Sequence, residues 1–312
     1  MDKRLLKYLT SLSFSTAILG LLFILVLWGT LAQVDLGIYY TQQKYFRSFF
    51  VWQEIGTMSL PIFPGGALLG GILCLSLILV TISKFKLIPK HIGLILIHIG
   101  LVILLIGAGI TSATSIESQL SLKEGETKSY TQHLRWTELV ITDHSDSKRD
   151  HITTIPEHYL QKAIPITHDS LPFSIIPKFY YENAQLMKAK NDNYKNPYVS
   201  HGIGTTLYPN AIPPVVRDDL KNNTTAIIDI EQNGIKIASL MISLDFEFHQ
   251  YFTVNQKEYS VYLRPLRFYT PYSITLKDFS HDLYAGTDIP KNFSSLINLN
   301  NPETGENRDY LI

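Results

Sequence analysis

Apolar and polar positions divide this chain into two unlike parts. Up to about Thr111 long apolar runs dominate and charges are sparse; after Ser112 the sequence is polar, rich in Tyr and Asn, and broken into short alternating runs. Residues 12–32, 66–82 and 92–111 are apolar runs close to the ~20 residues a helix needs to cross a bilayer. The expected organisation is a membrane domain over 1–111 with three transmembrane helices, followed over 112–312 by a mainly antiparallel β extracytoplasmic domain. Lys3, Arg4 and Lys7 precede the first run as they would in a signal peptide. That run is long for an h-region, however, and Trp28–Gln33 is a poor cleavage site, so it reads as a retained helix.

In the polar part, residues 225–242 hold two β-rich runs around Asn233-Gly234, a hairpin signal. Residues 259–264 and 272–277 alternate as strands do, and 117–142 hold two more candidates around Glu124-Gly125. Prolines at 156, 165, 172, 177, 197, 213 and 214 exclude long helices. The prediction is an antiparallel sandwich or barrel-like domain in which 182–223 is loop-like.

Basic residues set an expected orientation. Lys3, Arg4 and Lys7 flank the first run; Lys84, Lys86 and Lys90 lie between the second and third; the remaining short connection, about 34–64, carries Lys44 and Arg47. The N-terminus is expected in the cytoplasm and everything after Thr111 outside. Composition excludes further classes. Lys and Arg number 27 against 27 Asp and Glu, with no basic patch interleaved with aromatics, so nothing points to nucleic acid. The single cysteine, Cys74, sits in an apolar run and reads as a small buried residue. Without CxxC or CxxCH the chain is neither a thiol–disulfide enzyme nor itself a c-type cytochrome. There is no HExxH or GxSxG, and the paired acids Asp218 and Asp219 stand in loop-like sequence, so no hydrolase is read and no catalytic residue is assigned.

The chemistry that stands out is imidazole within the third run. His91 and His98 recur at seven residues, as do Gly93, Gly100 and Gly107. Each histidine precedes a glycine by two residues, about 200° around a helix. The expectation is that the glycine face packs against a neighbouring helix, together with a Gly66/Gly70 small-xxx-small pair, while the opposite face presents imidazole. A polar ring at the depth of His98 needs a partner. Either it bonds a carbonyl of the next helix, or it serves as proton relay, metal ligand or haem axial ligand; one His makes no zinc site, so haem fits best. His91, about 10 Å away along the axis, cannot share one iron with His98 and reads as an interfacial His or a secondary haem contact. The segment 34–54 is aromatic-rich, with Tyr45, Phe49 and Trp52, and Phe46 and Phe50, at helical spacing. It predicts an interfacial helix or a platform for a flat apolar ligand. Among eight histidines of the polar part, His144, His151 and His158 recur at seven residues by chance, and His281 is read as a loop residue capping a turn or as a residue to test.

Residues 29–50 (GTLAQVDLGIYYTQQKYFRSFF), His98-Ile-Gly-Leu101, 117–130 (ESQLSLKEGETKSY) and 263–295 resemble the ResB (CcsB) family of cytochrome c biogenesis proteins. The resemblance is specific in those stretches and vague between about 140 and 220. It implies a subunit of the system II cytochrome c synthase in the bacterial inner membrane. Such a subunit is non-autonomous: with a CcsA-type partner it carries haem b, a transient substrate, outward to CxxCH motifs of apocytochromes c, alongside a thiol-reducing thioredoxin-like protein and membrane lipid. The family role of axial haem ligand falls on His98. The family's WWD segment belongs to the CcsA-type partner, and this sequence has none. ResB proteins usually continue beyond a region like 301–312 into more outer domain and a last membrane helix, so closure of the outer domain is expected to need residues beyond Ile312. The competing expectation is a membrane-anchored scaffold that holds an apocytochrome or respiratory partner and binds no haem.

Overall fold

The apolar runs are helical. In this computed structural model, residues 3–56, 58–85, 88–146, 148–188, 195–216 and 220–312 are described, and Lys86, Asp218 and Asp219 lie outside them. A helical unit comprises the chain up to Ile116 with Val216 and Leu220, and a β unit the rest from Glu117. After a short α1 (Lys3–Leu9) come α2 (Leu12–Thr41), α3 (Gly66–Lys84) and α4 (Ile92–Thr114). The spans Leu12–Phe46, Gly66–Lys84 and Pro89–Thr114, with mean hydropathies of 2.3, 2.3 and 2.6, are long and apolar enough to cross a membrane.

The last two helices fall where predicted, but α2 runs well past residue 32. Ser11 starts it, its side chain accepting from the Phe14 amide at 3.2 Å. It passes Thr30, Gln33 and Asp35 without a break as far as Gly37, whose φ of 69° kinks it, after which it continues to Thr41 and into a π-helical turn, Gln42–Phe46. Ser76, buried in α3, donates to the Leu9 carbonyl at 2.8 Å and lies 3.2 Å from the Ser15 hydroxyl, a polar tie in an otherwise apolar seam.

The predicted aromatic helix over 34–54 is a correction. Only its first part is helical; Phe50 and Trp52 lie on a hairpin of β1 (Phe50–Ile55) and β2 (Met58–Pro64), turned at Gly56 with φ 65°. Helical and strand periodicities both suited these aromatics, and tertiary packing decided between them: Tyr45 and Val51 are buried, and Trp28 meets the rings of Tyr45 and Phe63 edge-on at 5.5 and 6.1 Å.

The β unit contains β3 (Ser118–Gln119), β4 (Thr127–Asp143), β5 (His151–Pro156), the short α5 (His158–Gln161), β6 (Ser174–Tyr181), β7 (Ala184–Lys188), β8 (Leu207–Ala211), β9 (Thr225–Gln232), β10 (Ile235–Ser243), β11 (Gln250–Val254), β12 (Lys257–Leu283), β13 (Pro290–Asn301) and β14 (Glu306–Leu311). A seven-stranded antiparallel sheet runs β14-β13-β12-β4-β3, with β5 also on β4 and β11 on β12; a second sheet is β10-β9-β6. Leu139, Ile141, Val261 and Leu263 of the first sheet and Ile175, Ile228, Ile230, Leu240 and Ile242 of the second form one buried core, a sandwich as predicted. The predicted hairpin at Asn233-Gly234 is present, with φ of 51° and 76° at the two turn residues. The two runs expected at 259–264 and 272–277 are one 27-residue strand, β12, whose register shifts at Pro265/Arg267, Tyr269/Ile274 and Leu276/Asp278 curl the large sheet into a half-barrel. The supposed loop 182–223 carries the β7–β8 hairpin. Val199 and Leu207 from this segment cover Ile227 and Met241, so β9 is buried on both faces, with Asp229 in its middle accepting from the Ser239 hydroxyl at 2.6 Å.

Candidate functional site

The half-buried residues of the α4 span are His91, Ile95, His98, Val102 and Leu105, one stripe at alternating spacings of four and three. Both imidazoles therefore lie in the seam and not on a free face. This corrects the expected orientation: among the described residues nothing lies within 4 Å of a Cβ built at Gly93, Gly100 or Gly107, so the glycine face is the open one there. The reason is energetic. A ring nitrogen against hydrocarbon costs more than an unpacked glycine, and α3 offers that ring a hydroxyl and an aromatic edge.

That hydroxyl is Thr81. Its Oγ1 lies 3.2 Å from His98 Nδ1 and 2.7 Å from the Leu77 carbonyl one turn back. The carbonyl can only accept, so the single hydroxyl proton goes to Leu77 and Oγ1 receives Nδ1–H from His98. This network places a proton on His98 Nδ1, and Nε2 makes no hydrogen bond among the described residues. The Phe85 ring meets the imidazole edge-on at 5.1 Å and 90°, closing the seam on that side. His98 thus has one ring nitrogen held by an outer hydrogen-bond partner, the arrangement metal-ligating histidines use. Its bonding partner is a side-chain hydroxyl and not the neighbouring-helix carbonyl considered from sequence.

His91 ends the 3-10 turn Pro89–His91 that leads into α4. Phe85 reaches it too, at 6.0 Å, and its Nδ1 is buried without a partner. The two histidines share the Phe85 ring but are two turns apart and are not brought onto one point. Among the described residues no three of His, Cys, Asp and Glu converge as metal ligands. The helical unit therefore presents His98 as a lone imidazole in the seam. The aromatic segment supplies no platform beside His98: Tyr45 and Trp28 pack into the core at the opposite ends of α3 and α4. Those ends enclose a cavity of about 920 Å³ whose lining includes Thr41, Cys74 and Leu105 but not His98.

The β unit holds a constellation invisible in sequence. His144 Nε2 lies 2.9 Å from Ser260 Oγ and His144 Nδ1 lies 2.9 Å from Asp150 Oδ1, the order of a Ser–His–Asp relay. Ser260 is nevertheless 0% exposed, at a paired position in β12 opposite Thr142, inside the sheet and on the lining of no described cavity. The arrangement ties β4, the following loop and β12 together. His151 and His158 belong to β5 and α5 and do not join it. His281 is not a loop residue: it stands on β12 opposite Phe293 of β13 and stacks on that ring at 4.5 Å. His133 is buried, stacks on Trp136 at 4.1 Å, and its Nδ1 accepts the amides of Arg135 and Trp136. Burial holds His133 below the ordinary imidazole pKa, against the pull of Glu117, so it is a neutral structural histidine. No family model matches the chain, and no curated protein matches it.

Proposed function

We propose that this chain is the ResB-type subunit of a system II cytochrome c synthase, set in the bacterial inner membrane with its N-terminus in the cytoplasm and its β unit outside. His98 offers Nε2 to haem iron within the membrane, and a CcsA-type partner supplies the second axial ligand. The observation that carries this reading is the Thr81–His98 pair: an imidazole in an apolar helix, its tautomer set by a hydroxyl so that the free nitrogen is a donor to metal. Bound haem would supply the vinyl groups that become thioethers on CxxCH cysteines. What this chain's residues do is narrower: His98 ligates, Thr81 fixes its tautomer, and Phe85 packs on the imidazole. His91, with an unpartnered nitrogen at the seam's end, is a secondary contact, and the β unit is the surface for the apocytochrome.

The test is to purify the chain with its CcsA-type partner and record absorption spectra of the wild type and of His98→Ala. The proposal expects a Soret band in the wild type that weakens or shifts in the variant. A second reading, a scaffold without haem, draws on the same pair, because Thr81 already satisfies one nitrogen of a helix-packing imidazole. It expects the spectrum to be unchanged by the substitution.

A further inference from the structure

We propose that the cavity between α2, α3 and α4, at the end away from Lys84 and Lys90, binds one anionic phospholipid. The head group is held at Arg47 and Thr41, and an acyl chain lies along the small-residue wall of α3 and α4. The inference rests on these helices lying in a bilayer and not on haem binding. The cavity measures about 920 Å³. Its wall includes residues without bulk: among the described residues nothing lies within 4 Å of a Cβ placed at Gly70 or Gly71 of α3 or at Gly109 of α4. Its floor is fixed, since a Cβ at Gly66 would meet the Phe46 carbonyl oxygen at 2.6 Å.

The polar end carries groups that the chain leaves unsatisfied. Thr41, which lines the cavity, is 1% exposed, and its hydroxyl has no hydrogen-bond partner among the described residues. A buried unpaired hydroxyl is costly and calls for an acceptor. Arg47, half-buried on the same lining, forms no ion pair among the described residues, and a guanidinium beside an apolar wall calls for an anion. Both stand at the π-helical turn Gln42–Phe46 or immediately beside it, an irregularity often found at binding sites. One phosphodiester satisfies both: its oxygens accept from the Thr41 hydroxyl and the Arg47 fork, while its acyl chain fills the glycine wall. A porphyrin carboxylate offers similar head chemistry. It fits less well, because His98 is not on the lining and a porphyrin there would lack an imidazole.

Cys74 lines the cavity and is the only cysteine, so its alkylation reports occupancy. The full chain in mild detergent is stripped of lipid and titrated with phosphatidylglycerol or with phosphatidylcholine of the same acyl chains, and maleimide labelling of Cys74 is timed. The expected result is at least tenfold slower labelling with phosphatidylglycerol, at a concentration tenfold below that needed for phosphatidylcholine. Arg47→Gln should abolish the difference between the two lipids, and Thr41→Val should weaken protection several-fold. Gly70→Leu should slow labelling without lipid and remove the response to it; should that variant not fold by circular dichroism, the two polar variants decide. Equal protection by both lipids in the wild type, or selectivity retained in Arg47→Gln, overturns the proposal. Protection by haem at lower concentration than by phosphatidylglycerol also overturns it, assigning the cavity to a porphyrin.

Discussion

Replacing Thr81 by Val tests the tautomer argument without touching the ligand. Valine keeps the shape and β-branching and removes only the hydroxyl that accepts from His98 Nδ1 and donates to the Leu77 carbonyl. Two magnitudes bear on the outcome. A side-chain hydrogen bond between membrane helices contributes about 0.6 kcal/mol on average and at most about 1.7, or about 3- to 20-fold in an equilibrium. Outer partners of metal-bound histidines are worth about 10- to 100-fold. The bond here is 3.2 Å, at the long end for N–H···O, so the smaller effect dominates and haem retention should fall about 3- to 10-fold. The assay is haem titration of the purified complex followed at the Soret band, with Thr81→Ser as the control that restores the hydroxyl. Wild-type retention in Thr81→Val, or equal losses in the Val and Ser variants, would refute the reasoning.

Two further predictions concern the β unit. Arg264 Nε donates to Glu138 at 2.6 Å with both side chains buried, so Arg264→Leu strands a carboxylate and should cost about 3–5 kcal/mol; the double variant with Glu138→Leu should recover most of it in thermal unfolding, and a single variant within about 1 kcal/mol of wild type would contradict the pair's role. Because burial depresses the pKa of His133, the unfolded chain takes up a proton first: stability is full above about pH 6.5 and falls as the pH drops toward the folded-state value. Denaturant midpoints between pH 7 and 5 should show this slope, and His133→Asn, which keeps an acceptor near Nδ1, should flatten it; a slope unchanged in the variant would place the titration elsewhere.

Long apolar runs and turn chemistry made much of this fold legible. Helices α3 and α4 follow from runs too long to be anything else, and Asn233-Gly234 tolerates the positive φ that its hairpin requires. What failed has a common cause, a local pattern satisfied by two structures. Tyr45, Phe49 and Trp52 suit a helix or a hairpin; Tyr45 is buried against Trp28 in the π-helical turn, while Trp52 stands exposed on the hairpin beside the buried Val51. The alternating runs 259–264 and 272–277 suit two strands or one, and the single bulged strand β12 contains both together with Pro265 and Pro271. His98 was visible as an anomaly in an apolar run, but its partner Thr81 was not, because contact across two antiparallel helices leaves no mark on spacing. The glycine repeat misled for the opposite reason: it signals room for a neighbour, and this chain does not fill that room.

Imidazole rescue of His98→Gly decides whether His98 Nε2 ligates haem iron, as proposed. In the complex with its CcsA-type partner, the account predicts that this variant loses or shifts the Soret band and that added imidazole, seated in the space left by the ring, restores it in proportion to its occupancy. A variant whose haem spectrum equals the wild type's, with or without imidazole, would contradict the account and leave His98 as a residue that only joins α3 to α4.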